Sequence, residues 1–348
     1  MIVGYGANLS VKELKKIAND IIDEEAKKNN LKIKAFPVTF IEYYTDFVFK
    51  GKFSLQRFNV FSGYPFNSVG FHSESNIIIF VNKIKKEKVV KGNSSLLLLA
   101  LLSTVYHEIR HNLQEKYDNS SYEDFLASLE RLLRSGKVRQ FNYEKNHDEF
   151  SYEIGADLYG IRRTKEYLIN KYPEIYDEVK RNIENIEKYC LINYYMYDAS
   201  YIFDLVIPIV RDKLRNGNYS ENYIKLNNDG SFSSVREMLD NSQFNDLDIR
   251  IRAAIMSSRT FLKELDYEEL SYDELEYLNE MVNYTNTIYD NQLKYLEKVA
   301  GQGIISNNIV LSKKQNVIKR KKELEVYIDK IELYMSIARI IDEKKNRS

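Results

Sequence analysis

The sequence predicts an α+β protein: an N-terminal domain with a small mixed or antiparallel sheet beside one long helix, then a mostly α-helical C-terminal lobe. Three observations predict it. Extended-looking segments gather before residue 83, and residues 76–82, Asn-Ile-Ile-Ile-Phe-Val-Asn, form the best strand in the chain. Residues 96–102 plus Val105 and Tyr106 then make a helix that is apolar on most sides, as an interior helix is. From about residue 150 onward almost everything falls at helical spacing. The 348 residues suit one large or two modest domains, and the expected division is 1–165 and 166–348.

Each element has a local reason. Ser10-Val11-Lys12-Glu13 reads as a capping box, and Leu14, Ile17, Ala18, Ile21 and Ile22 follow on one helical face. Residues 31–36 alternate and end at Pro37, an edge or break signal, while 38–44 and 58–61 are further β-like pieces. Asn93-Ser94-Ser95 can cap the long apolar helix. Residues 118–147 look like an insertion carrying a helical stripe of Phe125, Leu129, Leu132 and Leu133. Asn227-Asn228-Asp229-Gly230 marks a turn and Gly301-Gln302-Gly303 a loop. In 315–345, Leu324, Ile328, Ile331, Met335, Ala338 and Ile341 recur at near-heptad spacing. That face is expected to close on the core, the alternative being a partner-binding helix.

Charge and composition narrow the function. Lys+Arg and Asp+Glu are both 51, and zero net charge argues against nucleic acid as a partner. The single cysteine, Cys190, allows no internal disulfide, which suits a reducing compartment, and its apolar surroundings suit an inert core residue. The longest apolar run, 96–102, is far too short to cross a bilayer, and the first residues lack a signal-peptide layout. The expectation is a cytoplasmic protein with no membrane span and an oligomeric state the sequence leaves open.

The chemistry concentrates in His107-Glu108-Ile109-Arg110-His111, which holds half of the four histidines. On a helix, residues i and i+4 share a face, so His107 and His111 can offer two imidazoles to one metal ion. Glu108 beside them can act on a water at that ion as general base. The bland alternative is a helix end whose two histidines and glutamate face solvent. With so few histidines, the expected number of accidental H-E-x-x-H matches is on the order of a hundredth.

A catalytic zinc site needs a third protein ligand and an open fourth position. Residues 146–160 supply the candidates. Read as a helix, they place Glu149, Glu153 and Asp157 on one face, where three stacked acids repel unless a cation relieves them. Glu153 is the expected ligand. Asp157, one turn on, is the expected acceptor for the free ring N–H of His107 or His111, a contact that fixes the tautomer. Glu149 and His147 stay open as alternative ligands, and His147 also as a proton donor near the site.

His107-Glu108-x-x-His111 followed by Glu153-Ile154-Gly155-Ala156-Asp157 resembles the gluzincin pattern of zinc metallopeptidases, H-E-x-x-H then E-x-x-x-D. The E-x-x-A-D form is similar to that of prenyl-protein endopeptidases and HtpX-type membrane proteases, and to ImmA/IrrE-type peptidases, in which Asn often replaces the Asp. The chain departs from the membrane families in having no span, so their substrates are not carried over. It also departs from the metzincin pattern, with Gln114 and Tyr117 where that pattern has Gly and His. The resemblance implies a zincin-like domain in which a sheet edge before residue 83 accepts an extended peptide. It implies one Zn²⁺ per chain, a peptide or protein substrate and a hydrolase with Glu108 as the catalytic base. It also implies an oxyanion donor from the C-terminal half, where Tyr194, Tyr195, Tyr197, Arg250 and Arg252 are the candidates. The alternatives are an ImmA/IrrE-like regulatory metalloprotease cleaving one specific partner protein, and a non-catalytic zinc-binding scaffold.

Overall fold

The computed structural model describes residues 10–29, 38–41, 70–73, 76–80, 93–116, 150–217, 230–232, 234–240, 248–300 and 307–345, with Leu126, Leu129, Glu130, Leu133 and Asn227. The chain separates into two units. The first joins Met1–Tyr117 to His147–Tyr194, and the second joins Asp118–Asn146 to Tyr195–Ser348. The expected division at 165/166 falls inside a continuous helix, Ser151–Lys171, and the segment read as an insertion belongs with the C-terminal unit.

The expected α+β class is overturned, because the described residues are predominantly helical. Among the described residues, two of the strand-like runs yield short pieces, β1 (Val38–Ile41) and β3 (Asn76–Phe80), and a third piece, β2 (Gly70–Ser73), forms where no strand was expected. They pair in the order β1-β3-β2, parallel on one side and antiparallel on the other. The best strand of the sequence is therefore the middle one, not an edge. Such short pieces do not make the sheet layer that defines the class, and the helices of the same unit run to 23 residues. The β-like runs at 31–36 and 58–61 lie outside the described residues.

In the first unit, α1 (Val11–Lys28) starts at the predicted capping box. Ser10 Oγ accepts from Glu13 N at 3.3 Å, and Glu13 Oε2 accepts from Ser10 N at 2.8 Å. Its face of Leu14, Ile17, Ala18, Ile21 and Ile22 is buried. The long helix α2 (Ser94–Lys116) opens where Asn93 Oδ1 accepts from Leu96 N at 2.9 Å. Its apolar residues Leu98, Leu101, Leu102, Val105, Tyr106, Ile109 and Leu113 are all at most 2% exposed, so it is the interior helix of the unit.

Against α2 lie α3 (Ser151–Lys171) and, through Ile175, Val179 and Ile183, α4 (Pro173–Tyr195). A buried carboxylate ties α1 to α3. Glu25 accepts from Arg163 Nε at 2.8 Å and from Tyr159 OH at 2.5 Å, and Arg163 lies over the Tyr106 ring. Burial and the Glu25 carboxylate both push the Tyr159 hydroxyl well above its ordinary range, so it remains a donor. Cys190 is buried in α4.

The second unit is built from α5 (Ala199–Arg215), α6 (Val235–Asp240), α7 (Ile249–Met256), α8 (Arg259–Glu264), α9 (Tyr272–Ala300) and α10 (Asn307–Lys345). Asp198, Asp248 and Ser258 cap α5, α7 and α8 with side-chain oxygens, as short polar residues do at helix starts. Asp198 is buried and also accepts from Ser200 Oγ at 2.6 Å, Tyr289 OH at 2.9 Å and Arg320 Nη1 at 3.0 Å, which joins α5, α9 and α10 at one carboxylate. Helices α9 and α10 pack as an antiparallel pair. Of the near-heptad face of α10, Leu324, Ile328 and Ile331 are buried, while Ile341 is 46% exposed. Gly230, at φ +83°, makes the predicted turn by donating its N–H to Asn227 O at 2.8 Å. Among the described residues, no helix is long and apolar enough to cross a membrane.

Candidate metal centre

Two helices of the first unit build the site. On α2, His107 and His111 stand one turn apart on the face turned to α3, with their rings nearly perpendicular and 4.5 Å apart. The first turn of α3 brings Glu153 between them. His107 Nε2 lies 2.9 Å from His111 Nε2, and Glu153 Oε2 lies 3.3 Å from the first and 3.2 Å from the second. The Glu153 side chain is 3% exposed and that of His111 6%.

The outward nitrogens of both rings are held. His107 Nδ1 lies 2.8 Å from Asp157 Oδ1, and His111 Nδ1 lies 3.0 Å from Gln114 Oε1. Amide and carboxylate oxygens accept, so each Nδ1 carries the hydrogen and each Nε2 turns toward the shared centre. Two imidazole nitrogens and a carboxylate oxygen thus converge out of water. Such a group needs a positive charge among its members. Burial alone would push the His107 imidazole down, but the carboxylates of Asp157 and Glu153 outweigh it, and His107 stands well above its ordinary 6.5. The pocket favours a cation, and His107, His111 and Glu153 form a group that can hold a metal ion. Glu108 is buried at 6% exposure beside His107, and its charge acts on that ring in the same sense.

The predicted residues are therefore found as follows. His107, His111 and Glu153 are together, Asp157 sits on His107, and Glu108 is buried next to them. Glu149 and His147 lie outside the described residues. Of the residues named for an oxyanion role, Arg250 pairs with Asp248, Arg252 Nη1 donates to Tyr277 OH at 3.0 Å, and Tyr197 OH donates to Glu130 at 2.7 Å, all inside the second unit.

Sequence reasoning missed four residues that shape the centre. Gln114 is one, and its position three residues after His111 on the same helix was a usable signal. Tyr152 stacks flat on His111, 4.1 Å between centroids and 8° between planes. Gly155 and Gly160 are the others. A β-carbon on Gly160 would come 2.8 Å from Ser103 O and 3.3 Å from His107 N, and one on Gly155 would come 3.3 Å from Gln114 Nε2. Both glycines let α3 approach the ligand-bearing stretch of α2.

Comparisons with protein-family models, curated proteins and solved structures give no match. The chemistry of the site thus rests on its own geometry.

Proposed function

We propose that the protein is a zinc-dependent peptidase of the gluzincin type, with one Zn²⁺ held by His107, His111 and Glu153. The observation that carries this reading is the convergence of three electron-pair donors beside a buried glutamate that metal binding alone does not require. Tetrahedral zinc about 2.0–2.1 Å from its donors separates them by roughly 3.3 Å, and the three edges of this cluster measure 2.9, 3.3 and 3.2 Å. Two imidazoles and a carboxylate also suit zinc by ligand type, and three protein ligands leave a fourth position for chemistry. Bound there, zinc supplies Lewis-acid activation of water and polarisation of a carbonyl.

The protein's own groups do the rest. Asp157 and Gln114 orient the two imidazoles. Glu108 takes a proton from the attacking water as its oxygen bonds to the peptide carbonyl carbon. The same carboxyl returns that proton to the amine nitrogen as the C–N bond breaks. Burial of Glu108 and Glu153 keeps these transfers in a medium of low dielectric, where the charges act strongly.

The test pairs metal analysis with peptide hydrolysis. Purified protein supplied with zinc is expected to retain one ion per chain and to cleave a peptide library. Glu108→Gln is expected to keep the ion and lose about a hundredfold or more in rate. A wild-type protein that takes up no zinc, or a Glu108→Gln variant of full activity, would end this reading.

A further inference from the structure

We infer that Gln114 is a positioning residue, setting the tautomer and ring angle of His111. Gln114 is 2% exposed, and its Nε2 lies 3.1 Å from the backbone oxygen of Tyr152. A carbonyl oxygen only accepts, so the amide nitrogen must be the group that faces it. The amide oxygen then faces His111 Nδ1 at 3.0 Å. That oxygen also only accepts, so Nδ1 carries the hydrogen. A neutral imidazole has one N–H, so the Nε2 lone pair of His111 points to His107 and Glu153.

Tyr152 acts twice. Its carbonyl orients the Gln114 amide, and its ring covers the face of His111 and limits rotation about χ2. The next residue in the chain is Glu153. The path His111, Gln114, Tyr152, Glu153 therefore links two members of the cluster from different helices. Gly155 leaves the room in which the Gln114 amide sits. The two histidines are supported unequally: His107 by a carboxylate whose side chain is 41% exposed, His111 by a buried neutral amide. A neutral partner fixes His111 without adding negative charge to a pocket that already holds Glu108, Glu153 and Asp157.

This role deepens the proposed zinc centre and rests on it for its effect on affinity, but the tautomer can be read without metal. The experiment uses the full-length protein. Long-range ¹H–¹⁵N spectra of the histidine rings are recorded on metal-free wild type, Gln114→Met and Gln114→Glu in mildly alkaline buffer. Zinc affinity is measured in parallel by chelator competition, with circular dichroism as the folding control.

Wild type is expected to show the His111 hydrogen on Nδ1. Gln114→Met removes the acceptor, so the two tautomers mix and zinc binds about 10–100-fold more weakly. Gln114→Glu loses the donor to the Tyr152 carbonyl but keeps an acceptor for His111 Nδ1, and is expected to restore the Nδ1–H form through that carboxylate oxygen. A folded Gln114→Met variant with wild-type tautomer and affinity would overturn the inference. If that variant does not fold, wild type decides alone, because a His111 hydrogen on Nε2 is incompatible with the role. Wild type that shows Nδ1–H but takes up no zinc would defeat the metal reading and leave the positioning role standing.

Discussion

Asp157 accepts from His107 across 2.8 Å while its own side chain remains 41% exposed. The carboxylate holds the ring from the solvent side and contributes little packing. Its loss should therefore fall on metal affinity and not on folding. Asp157→Asn keeps an acceptor oxygen but removes the charge, and zinc affinity is expected to drop about tenfold. Asp157→Ala removes both and should reach the upper part of the 10–100-fold range typical of such partners. Chelator competition measures both, and unchanged thermal melts of the metal-free variants would separate the two effects.

The two glycines of α3 should differ in their response to alanine. At Gly160 the added carbon meets backbone, 2.8 Å from Ser103 O, so the helices must part. Gly160→Ala is expected to cost about 1–3 kcal/mol by overpacking, and to weaken metal binding because His107 and Glu153 are drawn apart. At Gly155 the neighbour is the Gln114 side-chain amide at 3.3 Å, which must give by only a few tenths of an ångström, and alanine is the better helix former by about 0.8–1 kcal/mol. Gly155→Ala should fold about as stably as wild type. Denaturant titration of the two variants checks the contrast, and equal stabilities would count against the close approach at Gly160.

Glu153→Gln is expected to abolish stoichiometric zinc binding. The amide keeps the shape but loses the negative charge that faces both imidazoles at 3.2–3.3 Å. Metal analysis after dialysis reads the outcome. Full retention of zinc would move the third ligand to Glu149 or His147.

Asp204 of α5 supplies a pH prediction in the second unit. Burial raises its carboxyl above the ordinary 3.8, against the opposing pull of the Thr260 N–H and hydroxyl that it accepts at 2.8 and 2.9 Å. An acid whose folded value is raised carries its penalty where it is ionised in the native state. The penalty is full at neutral pH and fades as pH falls through the raised value toward the unfolded one. Asp204→Asn should therefore gain stability relative to wild type at neutral pH, and the gap should narrow on acidification. Denaturation midpoints at neutral pH and near pH 4 test it. A gap that widens on acidification would contradict the sign.

Some of this was legible from residues near each other in the chain. The capping box at Ser10 and Glu13, the buried stripe of α1 and the shared face of His107 and His111 all follow from a period of 3.6 residues, which covalent geometry sets locally. The three acids at 149, 153 and 157 were equally legible, but they share one face, and their spacing alone could not rank Glu153 over Glu149. The strand signal at 76–80 was also real, yet its extension to a full sheet layer was not. Short apolar β-branched runs report a local preference and say nothing of how many strands will pair.

By itself, then, the sequence determined the helical periodicity, the capped starts of α1 and α2 and the pair of imidazoles on one turn, because these depend on contacts within four residues. Tertiary structure alone decided that Glu153 meets both imidazoles, that Gln114 reaches the Tyr152 carbonyl, that α3 closes on α2 at Gly155 and Gly160, and that the described residues are mainly helical. Each of these depends on packing between segments tens of residues apart. Side-chain volume and main-chain approach, not periodicity, set the distance between them.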